Sequence, residues 1–265
     1  MKIYLGKQTP EHKGDTSREL ISMWKESNLC EVIENEVDDY FIWANEPNDV
    51  LLYEYDRFDV FPGLPQKWNL GLFGGMQCHD KKALPWIYWA RRPRLLEKSI
   101  QEGINSYDER NIESVFLGKI ENSVQQFNRT RQNWSKVIEK FSLPQRLGDS
   151  FNWPYSQKEY LNILKNAKFG LCLAGYGPKC NREIEYFGLG VVPIITPEVD
   201  MTYYDAIEED YHYFRIESAA EFSDKVKSIS KKQWKEVSSN IREWYERNCS
   251  RKGSYETTQR ILNER

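Results

Sequence analysis

The chain has 265 residues, 40% of them hydrophobic and 14% aromatic, with a formal net charge of −3. That length accommodates two modest α/β domains or one large one, and the apolar content excludes a disordered chain. The near-balanced charge gives no electrostatic reason to expect a nucleic-acid partner, and no apolar run approaches the ~18 residues of a membrane span.

Lys2 to Leu5 predicts an opening strand. Thr16 or Ser17 then caps a helix with Leu20, Ile21 and Trp24 on one face. Glu31 to Ile33 and Phe41 to Trp43 are short apolar segments, the second a strand. Glu46-Pro47-Asn48-Asp49 is a turn, and Val50 to Tyr55 a further strand. Residues 58–94 carry many prolines, glycines and aromatics and predict a long ordered loop that lines a site. Within it, His79 and Asp80 form a candidate acid/base pair, since a histidine beside a carboxylate in a glycine-flanked loop suits proton transfer; a surface turn is the alternative. Asp56 is a second choice of base. Trp86, Tyr88 and Trp89 suit a sugar-stacking wall or a core, and Arg91, Arg92 and Arg94 a phosphate cluster or a solvated helix entry.

Leu95 to Ile104 predicts a helix, and a boundary near residue 108 divides the chain into halves 1–108 and 109–265. Ser114 to Leu117 is a strand followed by Gly118 and Lys119. Gln125, Arg129 and Arg131 lie on a helical stretch ending near Phe141. Ser156 and Glu159 form a capping box for a helix from Gln157 to Asn166. Phe169 to Leu173 predicts a buried strand, Gly175-Tyr176-Gly177-Pro178 a loop, Arg182 to Phe187 a helix stopped by Gly188 or Gly190, and Val191 to Ile195 a second strand. Pro193 suggests a strand start or an edge. Tyr211 to Ile216 alternates as a strand, Ser218 caps a helix through Val226, Lys231 to Asn248 is amphipathic with Trp234, Val237, Ile241 and Trp244 on one face, and a final helix runs from Tyr255.

Strand, glycine loop, helix and strand from Phe169 to Ile195 make a βαβ unit, which binds ligands at the carboxyl ends of its strands. A helix N-terminus behind a glycine loop attracts anions such as pyrophosphate, and Arg182 adds a bidentate cation. Glu183 and Glu185 suit the first turn on structural grounds, or one of them accepts bonds from ribose or sugar hydroxyls.

The order Tyr160, Leu164, Ala167-Lys168-Phe169, Leu171-Cys172, Gly175-Tyr176-Gly177, Arg182, Glu185, Gly190 and Val192-Pro193-Ile194-Ile195 resembles the carboxyl-terminal half of exostosin-like glycosyltransferases. The match spans about 40 residues and is specific only as an ensemble. Ala174 stands where the family has proline, and Tyr186 where it has a small residue. The resemblance implies a GT-B-like α/β fold, with two Rossmann-like domains facing a central cleft. The amino-terminal half then takes the glycan acceptor, the carboxyl-terminal half the nucleotide-sugar, and closing helices cross back. It implies transfer of a sugar, from a UDP-sugar for preference, by inversion. Gly118, Lys119, Arg129, Gly175, Tyr176, Gly177, Arg182, Glu183 and Glu185 are then the donor-binding candidates, with His79 and Asp80 catalytic. No Asp-x-Asp triplet occurs, so the expectation is a site without an essential metal or cofactor. A non-catalytic carbohydrate- or nucleotide-binding protein is the alternative.

Cys30, Cys78, Cys172, Cys180 and Cys249 show no CxxC or zinc spacing. Met1 to Gly6 holds too few apolar residues for a secretory signal. Both point to reduced thiols and a cytoplasmic setting.

Overall fold

The structure, a computed structural model, describes residues 1–6, 17–35, 42–45, 49–53, 68–75, 80–118, 129, 134–138 and 155–264. It is a mixed α/β molecule with one six-stranded and one four-stranded sheet.

The first sheet contains β1 (Lys2–Gly6), β2 (Glu31–Asn35), β3 (Ile42–Ala44), β4 (Val50–Tyr53), β5 (Leu70–Phe73) and β6 (Ala83–Pro85). Their order is β2-β1-β3-β4-β5-β6. β3 runs antiparallel to both neighbours and every other pair is parallel. The five strands other than β3 therefore point one way, and their carboxyl ends share an edge. The period-two alternation of a strand sends Val50 and Leu52 to one face and Leu51 to the other. On the first face Ile3, Leu5, Val50, Leu52 and Leu72 pack on Leu20, Ile21 and Trp24 of α1 (Ser17–Glu26). On the other, Leu51 and Phe73 pack with Trp43 and Trp68.

The second sheet contains β7 (Ile112–Val115), β8 (Ala167–Cys172), β9 (Val192–Ile195) and β10 (Phe214–Arg215), all parallel and side by side in chain order. An all-parallel sheet must be covered on both faces. Leu96 of α2 (Pro93–Gln101), Leu161 and Leu164 of α4 (Gln157–Lys165), and Ile184 and Phe187 of α5 (Asn181–Leu189) share one core cluster. Trp134 and Ile138 of α3 (Trp134–Ile138), and Phe222 and Val226 of α6 (Phe222–Ser228), share another. The long α7 (Lys231–Asn248) joins both, with Trp234 and Val237 in the second cluster and Ile241 and Trp244 in the first. Gly190 ends α5 at φ 63°, the left-handed cap that glycine accepts without a Cβ penalty.

α8 (Arg251–Asn263) returns to the first sheet, where Tyr255 and Ile261 join its core. The Trp24 Nε1 donates to Ser254 Oγ at 2.9 Å and the Trp86 Nε1 to Thr258 Oγ1 at 2.9 Å. This helix begins at Arg251 rather than Tyr255, because Ser250 caps it by accepting from the Gly253 amide at 3.1 Å. Among the described residues no helix is long and apolar enough to cross a membrane.

Four expectations change and one alternative is decided. Residues 58–94 are not one loop: β5 and β6 lie within them as parallel strands of the first sheet. Trp86, Tyr88 and Trp89 are 1–2% exposed, so they build the core and form no sugar-facing wall. Glu31 to Ile33, read only as a short apolar segment, belongs to β2, which pairs along β1 from Glu31 to Asn35. Tyr211 to Ile216 shrinks to a two-residue strand, because Asp210 just before it takes φ 60° and turns the chain. Pro193 sits in an interior strand, which β10 meets only from Ile194 onward.

Candidate functional site

The carboxyl ends of β7, β8 and β9 open onto Gly118, onto Leu173 to Gly175, and onto Thr196. α5 starts among them, behind the Gly175–Gly177 turn, in which the Gly175 amide bonds the Gly177 carbonyl at 3.1 Å. Arg182 lies in the first turn of α5. Its Cζ sits 4.3 Å from the Phe116 ring centroid, and Nη1 donates a long bond to the Leu173 carbonyl at 3.4 Å. Nη2 presses on Gly118: a Cβ there would lie 2.7 Å from it. The glycine after β7 is thus needed for the close approach of a guanidinium. The Arg182 Nε is buried and has no acceptor among the described residues, and Arg182 makes no ion pair among them.

Arg129 stands behind it, 2% exposed, with Nε donating to the Ala174 carbonyl at 2.7 Å and Cζ 5.7 Å from the same Phe116 ring. Burial first, and the Arg182 charge second, lower the Arg129 pKa to about 10. Two guanidiniums thus lie around one aromatic ring, and the Arg182 charge disfavours that of Arg129. For Arg182 burial opposes the charge, but Tyr186, Cys180, Tyr160 and Glu183 outweigh it, so the guanidinium holds its proton more tightly than usual.

The two glutamates of this turn part company. Glu183 is 1% exposed, and one carboxylate oxygen accepts from the Cys180 amide at 2.5 Å. Its other oxygen has no partner among the described residues. Burial raises its pKa to about 7, with Arg182 pulling the other way. Glu185 is 2% exposed, and both its oxygens are engaged, by the Tyr160 hydroxyl at 2.6 Å and the Arg91 amide at 3.3 Å. Burial also takes it to about 7, against the Tyr160 bond and Arg182. Of the two, Glu183 keeps a spare acceptor, whereas Glu185 fastens α4 and the chain entering α2 to α5.

Tyr176 projects from the glycine turn, 53% exposed, beside Gly177. Lys119, His79, Arg131 and Asp56 lie outside the described residues. Asp80 is not brought to this crevice. Its Oδ1 accepts from the Lys82 amide at 2.9 Å in a turn ahead of β6. β5 and β6 are parallel, with Gly71 opposite Ala83, so Asp80 lies at the amino edge of the first sheet, opposite the edge where Gly74 follows β5. Arg94 and Arg92 are also drawn elsewhere, since Arg94 grips Glu26 at 2.5 and 2.8 Å and Arg92 lies 3.7 Å from Glu19 of α1.

One residue escaped the sequence reading. Lys179, 3% exposed, donates to the Gly74 carbonyl at 3.1 Å and to the Thr202 carbonyl, stands 3.9 Å from Asp200, and lies 4.3 Å from the Tyr203 ring centroid. Burial lowers its pKa to about 8, with Asp200 opposing. The only sequence signal was its place in the loop ahead of α5.

Among the described residues no group of His, Cys, Asp or Glu is placed to hold a metal ion. No family model matches the chain, and no curated protein sequence matches it.

Proposed function

We propose that the protein is a glycosyltransferase of GT-B type that moves a sugar from a nucleotide-diphosphate donor, a UDP-sugar for preference, to a glycan hydroxyl. One observation carries the reading: a guanidinium that makes no ion pair among the described residues and whose buried Nε has no acceptor among them, beside a second guanidinium, at the carboxyl edge of a parallel sheet and the start of a helix. Departure of the sugar leaves negative charge on the diphosphate. Arg182 stabilises it directly, the first-turn amides of α5 add their dipoles, and the enclosed Arg129 adds its field from behind. The spare oxygen of Glu183 accepts from a donor hydroxyl. The return of α8 to the first sheet is in keeping with a two-sheet enzyme closed by its last helix.

A non-catalytic nucleotide or glycan binder is the second reading, and the position of Asp80 favours it, because that carboxylate sits at the far edge from Arg182. Incubation of the protein with UDP-glucose, UDP-N-acetylglucosamine, UDP-galactose and UDP-glucuronate, with pooled oligosaccharide acceptors, separates the two. Nucleotide release that depends on acceptor supports the transferase. Saturable UDP binding with no release from any donor supports the binder.

A further inference from the structure

Three side chains at the start of α5 reach the first half of the chain. Lys179 donates to Gly74 at the end of β5, the Asn181 Nδ2 donates to the Trp89 carbonyl at 2.9 Å, and Glu185 accepts from the Arg91 amide at 3.3 Å. Arg182 stands between Asn181 and Glu185 on the same turn. The turn that carries the anion-seeking guanidinium is therefore also the seam between the two sheets. Lys179 is the most enclosed cation of that seam. It faces two carbonyls, the Asp200 carboxylate and the Tyr203 ring, all of which favour an ammonium. Gly74 is itself fixed, its amide donating to the Tyr53 carbonyl at 2.8 Å, and a Cβ there would lie 2.7 Å from the Ile87 carbonyl. The other end is tied as well, since Asp200 Oδ1 accepts from the Thr202 amide at 2.8 Å and the Asp200 amide donates to the Pro178 carbonyl at 2.9 Å.

We propose that Lys179 is a positioning residue: its ammonium bridges Gly74 of the first sheet to Thr202 of the second half, and so couples an anion bound at Arg182 to the docking of the two sheets. Lys179 does not touch the anion. It fixes the turn on which Arg182 is mounted, so that ordering the turn by a bound diphosphate also orders the end of β5. The coupling rests on the anion-binding reading of Arg182; the bridge itself does not.

The test is amide hydrogen exchange on the full chain, for the wild type, Lys179→Met and Lys179→Arg, each with and without pyrophosphate. Methionine keeps the length and removes the charge, and arginine restores a cation. In the unliganded Met variant, exchange in 68–75 and 199–204 is expected to rise about tenfold while 231–248 is unchanged. Pyrophosphate is expected to slow 68–75 in the wild type. In the Met variant, with pyrophosphate raised until its binding saturates, it should no longer slow 68–75, and in the Arg variant the protection should return in part. Unchanged exchange at 68–75 in the Met variant, or an equal rise across the whole chain, overturns the proposal. So does pyrophosphate protection of 68–75 that survives in the Met variant. A wild type that binds no pyrophosphate defeats the anion reading of Arg182 and the coupling together, while the unliganded comparison still decides the bridge.

Discussion

At the scale of single residues, the weight falls on a guanidinium seated on a glycine. Gly118→Ala puts a methyl 2.7 Å from the Arg182 Nη2 and 2.9 Å from the Phe116 ring, so one of them must move. The expected result is a loss of about tenfold or more in UDP affinity, with a stability change in the ~1–3 kcal/mol range of overpacking, read by calorimetric titration and urea unfolding. The buried carboxyls give a pH test. Glu183 and Glu185 titrate at about 7 in the fold, against the usual 4.5. Between these values the folded chain holds more protons than the unfolded one, so the stability they contribute is complete below 4.5 and falls as pH rises to 7. Each shift amounts to on the order of 3 kcal/mol. Glu185→Gln cannot ionise and keeps an acceptor, so it should shrink the gap in unfolding free energy between pH 5 and pH 8; an unchanged gap would show that Glu185 does not contribute to the pH dependence. The neighbourhood of Arg182 and Gly118 was legible, because both follow strands of one parallel sheet at their carboxyl ends. Glu183 and Glu185 were not separable, since both acids suit a first turn, and only the Tyr160 hydroxyl and Arg91 amide show which one is engaged. Lys179 was illegible because its partners are backbone carbonyls far away in the chain.

At the scale of elements, local chemistry was readable where it is self-contained. The Ser156 and Glu159 capping box is present in both directions, at 3.2 Å and 2.7 Å. Ser156→Ala should lower the melting temperature through loss of about 1 kcal/mol, and a neutral result would show that the packing of Leu161 and Leu164 alone holds α4. The stripe of Trp234, Val237, Ile241 and Trp244 likewise foretold α7 to its last residue. β5 and β6 were hidden. Leu70, Leu72 and Phe73 are buried beside Gly71, and β6 ends in Pro85, so neither run shows the alternation or the length that marks a strand. Their partners, not their composition, make them strands. β2 was overlooked for a related reason, because its acid-flanked apolar pair is only partly buried and its pairing with β1 defines it.

At the scale of the whole molecule, two sheets are joined by a seam at α5 and strapped by α8. The strap is anchored in the first core by two indole-to-hydroxyl bonds, from Trp24 to Ser254 and from Trp86 to Thr258. Thr258→Val keeps the shape and removes the acceptor, leaving a buried indole N–H unpaired. A loss of about 1–3 kcal/mol is expected in urea unfolding, and no loss would mean that the strap holds by apolar packing alone. The α/β class was readable from the strand and helix signals, and two domains only as what the family resemblance implies, whereas the mixed pairing around β3 was not readable, because nothing local distinguishes an antiparallel strand of three residues. In the proposed transferase the crevice beside Arg182 takes a nucleoside diphosphate. The most direct measurement is calorimetric titration of UDP into the wild type and into Arg182→Ala, each checked for unchanged unfolding. Saturable UDP binding by the wild type, weakened at least about tenfold in the variant, is predicted from the loss of a charge-assisted bidentate contact. Equal binding by both proteins, or none by the wild type at millimolar UDP, would contradict it.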